Sequence, residues 1–344
     1  MSCHSPLRAF PIGKWPSGKT KYKICDLDCK AFDKRDWMEI FCDDESWNRV
    51  KDFQPDYVVT ESVLIPCGQC LGCRLNYSRE WANRMLMELP YHDSAYFLTL
   101  TYDNQHVPYS YYYDSYSDMV SPVLTLKPRD LELFWKRLRK ARPNANIRYF
   151  ACGEYGTETW RPHYHAIVFS LELNDLISQT VVRGNTYYTS DFLAEIWQNG
   201  HVLIGDVTWQ SCAYVARYVV KKAKGYNADL YRAFGLEPEF VRMSRKPGLG
   251  RWFYDDHPDL YDTLSITIST PDGGKKFRPP RYFDKLLEAD DPTRYENIKA
   301  VRREVADSVM SMILSKTDLD LRDYLQVQEE LADNKIKKLL RSDI

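Results

Sequence analysis

The sequence contains no run of about 18 apolar residues, so a membrane-spanning helix is not expected. Its first ten residues, "MSCHSPLRAF", lack the apolar core of a secretory signal, and a cytoplasmic protein, free of membrane, is expected. It also lacks an excess of either charge. Lys and Arg number 47 against 48 Asp and Glu, for a formal net charge of -1. No global field draws in a polyanion, so any basic surface has to be local. There is no Walker-type phosphate loop, which argues against a built-in helicase. No internal repeat or long low-complexity segment stands out. Nine cysteines is an odd count, which disfavours a disulfide framework and favours free thiols with one metal site.

What is present is the composition of a globular chain: 44% hydrophobic and 28% charged over 344 residues. "YVVTESVLIPC" (57–67) reads as a strand. "RLNYSREWANRMLMEL" (74–89) has helical apolar spacing and is stopped by Pro90. "AYFLTLTYD" (95–103) is rich in β-formers, and "VPYSYYYDSYSDMVSP" (107–122) reads as a Tyr/Ser/Asp loop. "LKPRDLELFWKRLRKARP" predicts a helix opened by Pro128 and closed by Pro143. "IRYFACGEYG" and "HYHAIVFS" are two strands joined by a turn. A weak helix "LNDLISQ", a helix "TSDFLAEIWQNG" and a strand "HVLIGDVT" follow. "SCAYVARYVVKKAKG" predicts a helix capped by Ser211 and closed by Gly225. Strands and helices mix without a βα repeat. The fold class is therefore α+β, a central antiparallel sheet with helices on one face and added N- and C-terminal segments. Four segments are expected: 1–73 with clustered cysteines, a core domain at 74–225, a basic loop-rich stretch at 226–284 and a mixed-charge helical tail at 285–344.

In "RPHYHAIVFS" (161–170), His163 and His165 lie two apart and share one strand face. Ile167 and Phe169 continue that face, while Tyr164, Ala166 and Val168 lie on the other, so both faces turn apolar and the strand is central. Two imidazoles at the mouth of a central strand suit a divalent metal. Glu154 ends the preceding strand, and the 155–162 turn returns the chain to the histidines. Two histidines and a carboxylate would make an open site with room for a phosphate oxygen. The plain alternative is a polar strand start and a solvated turn residue.

"YVARYVVKK" puts Tyr214 and Tyr218 four residues apart on one helix face. Half-buried aromatics on an amphipathic helix would look the same. A phenol can also act as a covalent nucleophile in a charged site, and a nearby lysine favours the phenolate or holds a phosphate.

In order, "FLTLTYD", "GEYG…RPHYHAIVF" and "YVARYVVKK" resemble the three motifs of the HUH (histidine–hydrophobic–histidine) rolling-circle replication initiators, two-tyrosine branch. The flanking "PCGQCLGCRLNYSREWANR" and "MSRKPGLGRWF" are similar to initiators of gokushovirus-like microviruses. The resemblance covers roughly residues 60–255, with Tyr164 where an aliphatic is usual. It implies a ferredoxin- or RRM-like palm and a DNA nickase and strand transferase acting in a bacterial host's cytoplasm. His163, His165 and Glu154 would hold Mg²⁺ or Mn²⁺ on the scissile phosphate. Tyr214 and Tyr218 would be nucleophiles, giving a 5′-phosphotyrosine and a 3′-OH primer, with Lys221 facing the phosphate. The partners implied are single-stranded viral origin DNA, a host helicase and a host DNA polymerase.

"CGQCLGCR" holds Cys67, Cys70 and Cys73 in two overlapping knuckles, expected either to bind structural Zn²⁺ or to stay free thiols. A fourth ligand would come from Cys3, His4 or Cys42. Arg161, Lys222, Arg245 and Lys246 are candidate DNA contacts, with a further basic segment running from Lys127 to Arg148. "YSYYYDSY" (109–116) reads either as a surface for stacking on unpaired bases or as an aromatic loop with no ligand. Two other readings remain: a non-catalytic zinc-dependent DNA-binding protein, and an HUH transposase or relaxase.

Overall fold

A computed structural model describes residues 3–41, 56–114, 116–156, 158–182, 184–221, 226–270 and 273–342. The chain forms two compact units, one of Met1–Asn76 with Val301–Ile344 and the other of Tyr77–Ala300.

The first unit opens with short strands β1 (Leu7–Lys14), β2 (Thr20–Cys25), β3 (Ala31–Asp33), β4 (Met38–Ile40), β5 (Val58–Val59) and β6 (Val63–Ile65). They build two three-stranded sheets, ordered β2-β1-β6 and β4-β3-β5. The single strand expected over 57–67 is thus two strands in different sheets, because the polar run Thr60–Ser62 interrupts the apolar pattern. Phe10, Cys25, Cys29 and Phe32 form a small buried core. Helix α1 (Leu71–Glu88) then begins, and a 3₁₀ turn at Leu89–Tyr91 accommodates Pro90.

In the second unit come β7 (Ala95–Tyr102), β8 (Tyr109–Asp114), β9 (Met119–Leu124), α2 (Pro128–Ala141), β10 (Arg148–Tyr155), β11 (Pro162–Phe169), β12 (Ile177–Val182), β13 (Asn185–Thr189), α3 (Asp191–Trp197), β14 (Gly200–Asp206) and α4 (Trp209–Lys221). After these run α5 (Tyr226–Ala233), β15 (Phe240–Met243), α6 (Arg251–Asp256), β16 (Ile266–Thr270), β17 (Gly273–Phe277) and α7 (Arg281–Asp290). Two long helices, α8 (Pro292–Leu314) and α9 (Leu321–Ser342), complete the described chain. Among the described residues, no helix is long and apolar enough to cross a membrane.

The fold is α+β around a seven-stranded sheet ordered β12-β13-β14-β7-β11-β10-β15, antiparallel throughout. Helices cover both faces of it, not one. On one face, Leu98, Leu100, Tyr164, Ala166 and Val168 pack against Leu131, Phe134 and Leu138 of α2 and Leu193 and Trp197 of α3. On the other, Phe150, Cys152, Ile167 and Phe169 meet Ala82 and Met85 of α1 and Cys212, Val215 and Ala216 of α4. The apolar character of both faces of "HYHAIVFS" requires this double cover.

Three other expectations change. The Tyr/Ser/Asp loop is a β-hairpin, β8 on β9 from Tyr109↔Leu124 to Asp114↔Met119, with Tyr109, Tyr111 and Tyr113 on its exposed face. Segment 173–179 is not helical: Asp175 accepts hydrogen bonds from the Ser190 hydroxyl and the Phe192 amide at the start of α3, and Ile177 begins β12. Segment 226–284 supplies the edge strand β15 of the sheet.

Candidate metal and nucleophile site

Three adjacent strands deliver the site. In the β10–β11 ladder Glu154 pairs with His163 and Cys152 with His165. In the β11–β7 ladder His163 pairs with Thr101 and His165 with Thr99. Strand alternation therefore puts Glu154, His163, His165 and Thr99 on one face. Glu154 Oε1 lies 2.7 Å from His163 Nε2 and 2.8 Å from His165 Nε2. The rings stand perpendicular with centroids 4.9 Å apart. Glu154 and His165 are buried, and His163 is the more open of the two histidines.

The opposite nitrogen of each ring is fixed from outside. His163 Nδ1 lies 3.1 Å from the Arg161 carbonyl oxygen, and His165 Nδ1 lies 3.0 Å from Thr99 Oγ1. A carbonyl only accepts, so His163 carries a proton on Nδ1. Its neutral form then turns a lone pair at Nε2 toward the Glu154 carboxylate. That lone pair and the carboxylate repel unless the ring is protonated or a cation sits between them. Burial alone would raise the Glu154 carboxyl, but hydrogen bonds from His163 and His165, with their charge, bring it down to about 2. A carboxylate held ionised among convergent imidazoles is a fitting donor set for a divalent cation. The three ligand atoms lie within 4.8 Å of one another.

Helix α4 brings the phenol. Thr208 and Ser211 cap it reciprocally: the Ser211 amide donates to Thr208 Oγ1 at 3.1 Å, and the Thr208 amide donates to Ser211 Oγ at 2.8 Å. The helix therefore starts at Trp209, and Ser211 is its third residue, not its cap. Cys212, Val215 and Ala216 seat α4 on the sheet. Tyr214 Oη then lies 3.5 Å from His165 Nε2. Phe97 stacks on His165 with centroids 5.5 Å apart and meets Tyr214 edge-on at 6.1 Å, locking both rings. Tyr218 is one helical turn further along α4, and Lys221 is its last residue; both side chains lie outside the described residues, as do Lys222 and Gly225 altogether.

The candidate DNA contacts separate. Arg161 donates to the Tyr102 carbonyl through Nε at 3.2 Å and Nη2 at 2.7 Å, fastening the β10–β11 turn to the end of β7. Arg245 and Lys246 are exposed, but the loop carrying them leaves β15 beside Tyr149, at the opposite end of β10 from Glu154. Two members of the 127–148 basic segment, half-buried Arg137 and buried Arg148, are bonded within the protein. Arg137 donates to the carbonyls of Ile196 and Trp197, and buried Arg148 donates to Glu88 and to the Pro247 carbonyl.

Sequence reasoning missed Thr99 as a partner of His165, although "FLTLTYD" alternates in the required way. It also missed His201, which pairs with Thr101 and so lies in line with His163 two strand spacings away, about 10 Å. Cys67, Cys70 and Cys73 come together in the first unit, joined by Cys3. Cys42 lies outside the described residues.

Residues 95–223, spanning β7 to the end of α4, match the family model for replication-associated protein ORF2. Over 300 residues the chain is 35% identical to the replication-associated protein ORF2 of Spiroplasma virus 4, covering 84% of this chain and 88% of that protein. It is 30% identical over 269 residues to the replication-associated protein VP4 of Bdellovibrio phage phiMH2K, covering 75% of this chain and 78% of the relative. No solved structure matches.

Proposed function

This chain belongs to the replication-associated protein ORF2 family of rolling-circle replication initiators, and we propose that it starts replication by nicking single-stranded origin DNA with a tyrosine. The observation that carries this is the Tyr214 oxygen, 3.5 Å from a histidine that shares one carboxylate oxygen with a second histidine. Hydrolysis by water alone would give no role to a phenol at that spot.

In this reading Glu154, His163 and His165 hold Mg²⁺ or Mn²⁺. Such an ion supplies Lewis-acid polarisation and orientation of a phosphate oxygen. Thr99 and the Arg161 carbonyl keep both Nε2 atoms facing the site. Tyr214 attacks the scissile phosphorus in line. A P–O bond to the tyrosine forms as the P–O3′ bond breaks, and the phenolic proton ends on the departing 3′ oxygen. The products are a 5′-phosphotyrosine and a 3′-OH primer. The phosphodiester is exchanged, not hydrolysed, so rejoining needs no ATP.

Tyr218, one turn along the same helix, is the second nucleophile: it cuts the regenerated origin, and the freed 3′-OH attacks the first phosphotyrosine to close a circle. Lys221, the last residue of that helix, contributes in this reading the positive charge that favours the phenolate. In this reading a host helicase or DNA supercoiling separates the strands, and a host polymerase extends the primer in the host cytoplasm.

The test is to incubate the full chain with labelled single-stranded oligonucleotides tiling the origin candidate plus Mn²⁺ or Mg²⁺, then run a denaturing protein gel. A DNA adduct that survives denaturation and is prevented by a chelator is expected. Binding with no adduct under any divalent ion would instead support a non-catalytic DNA-binding protein.

A further inference from the structure

The first unit contains a second cluster of metal-binding atoms that nicking chemistry does not use. Cys3 precedes β1, Cys67 and Cys70 lie in the turn before α1, and Cys73 is in the first turn of α1. Their four sulfurs lie within 4.8 Å of one another. Cys3 Sγ and Cys70 Sγ are 3.8 Å apart. A disulfide would need about 2.0 Å. A tetrahedron of thiolates around zinc, with Zn–S about 2.3 Å, has edges of about 3.8 Å.

Backbone amides are aimed at these sulfurs. The Cys67 amide donates to Cys3 Sγ at 3.3 Å, and the His4 amide donates to Cys70 Sγ at 3.3 Å. The Gln69 and Cys70 amides both donate to Cys67 Sγ, at 3.4 and 3.3 Å. A neutral thiol sulfur is a weak acceptor, whereas a thiolate is matched to such donors. Gly68, at φ +75°, makes this possible: the left-handed residue folds the chain so that the next two amides turn back on Cys67.

We propose that Cys3, Cys67, Cys70 and Cys73 form a closed structural Zn²⁺ site, with Cys3 as the fourth ligand. Four soft sulfurs leave no open coordination position, so this site is structural and separate in kind from the two-histidine, one-carboxylate site. Binding displaces the four thiol protons and ties a residue near the chain start to a turn 64 positions later. His4 serves as an outer partner: its amide bonds Cys70, and its Nδ1 is 3.6 Å from the Glu329 carboxylate. Two other groups in this unit, Cys25 with Cys29 and Glu39, and His4 with Cys70 and Glu329, offer only three donors each among the described residues.

The test uses the full chain, purified under reducing conditions from zinc-supplemented growth and dialysed against metal-free buffer. One tightly held zinc per chain is expected by elemental analysis and native mass spectrometry. A thiol-blocking mercurial should release it. Cys3→Ser and Cys73→Ser should lose it, while Cys25→Ser and a His163→Ala/His165→Ala variant should keep it. Because the serine variants could misfold, wild-type protein is also alkylated with and without a strong chelator and mapped by mass spectrometry. Cys3, Cys67, Cys70 and Cys73 should be protected together and become reactive together. Absence of zinc, zinc that survives Cys3→Ser, or Cys3 reacting while the other three stay protected would overturn the assignment.

Discussion

Tyr214 Oη sits 3.5 Å from Nε2 of His165, the same nitrogen that meets Glu154 Oε1 at 2.8 Å. One imidazole thus touches both the anchoring carboxylate and the phenol. Removing the phenol oxygen leaves the ring contacts with Phe97 and His165 in place. Tyr214→Phe is therefore expected to fold normally and to lose covalent adduct by roughly 10³-fold or more, the scale on which loss of a covalent nucleophile is felt. Tyr218→Phe should spare first nicking more than joining. If both single variants nick and join an origin oligonucleotide at wild-type rates, neither tyrosine is the nucleophile.

Thr99 touches no proposed ion and acts by holding the His165 ring. Thr99→Val keeps the shape of the side chain but removes the oxygen that faces Nδ1. Mn²⁺ affinity should fall about 10- to 100-fold, the usual cost of losing an outer partner of a ligating histidine. Titration calorimetry reads this directly, and excess Mn²⁺ should restore nicking. An unchanged affinity would remove Thr99 from the site.

Tyr164, the central residue of "HYH", is fully buried on the opposite face. Its hydroxyl donates to the Lys127 carbonyl at 2.9 Å, accepts from the Lys127 amide at 3.1 Å and meets Tyr102 Oη at 2.8 Å. It thus fixes the start of α2. Tyr164→Phe strands these polar groups and should cost about 1–3 kcal/mol of stability. Nicking per folded molecule should be unchanged. Urea unfolding compared with specific activity separates the two effects, and lost activity at unchanged stability would contradict this role.

Glu88, the last residue of α1, is buried in a clasp. It meets His92 Nε2 at 3.1 Å, accepts from the Gly250 amide at 2.5 Å and pairs with Arg148. Burial pushes its carboxyl up, but these donors and the Arg148 charge outweigh that and hold it below its ordinary value of 4.5. A carboxyl depressed in the folded state adds stability that is full above its unfolded value. That stability is lost as pH falls from about 4.5 through the lower folded value. Glu88→Gln should cost about 3 kcal/mol at neutral pH, as removal of one partner from a buried pair does. The variant should also show a shallower loss of stability with acid. Parallel urea curves for the two proteins at neutral and acid pH check this, and equal acid slopes would exclude Glu88 as a contributor.

Local pattern was enough to place His163, His165 and Glu154. Period-two alternation and a short return turn are properties of neighbouring residues, and the register Glu154↔His163 follows from them. Helix α4 was legible from its apolar spacing, although its cap moved from Ser211 to Thr208 because reciprocal capping depends on two side chains at once. The β8–β9 hairpin was not legible, since Tyr, Ser and Asp compose loops and exposed strand faces alike.

By itself, then, the sequence determined the α+β class, the paired histidines with their glutamate, and the helix bearing the tyrosines. Each of these rests on spacing within one element or one hairpin. Only the tertiary structure decided that helices cover both faces of the sheet and that Thr99 orients His165. It also turned Arg148 inward to Glu88 and joined Cys3 to Cys67, Cys70 and Cys73. These are contacts between segments far apart in the chain. Their partners are chosen by how the sheets, helices and buried charges pack, which no window of neighbouring residues contains.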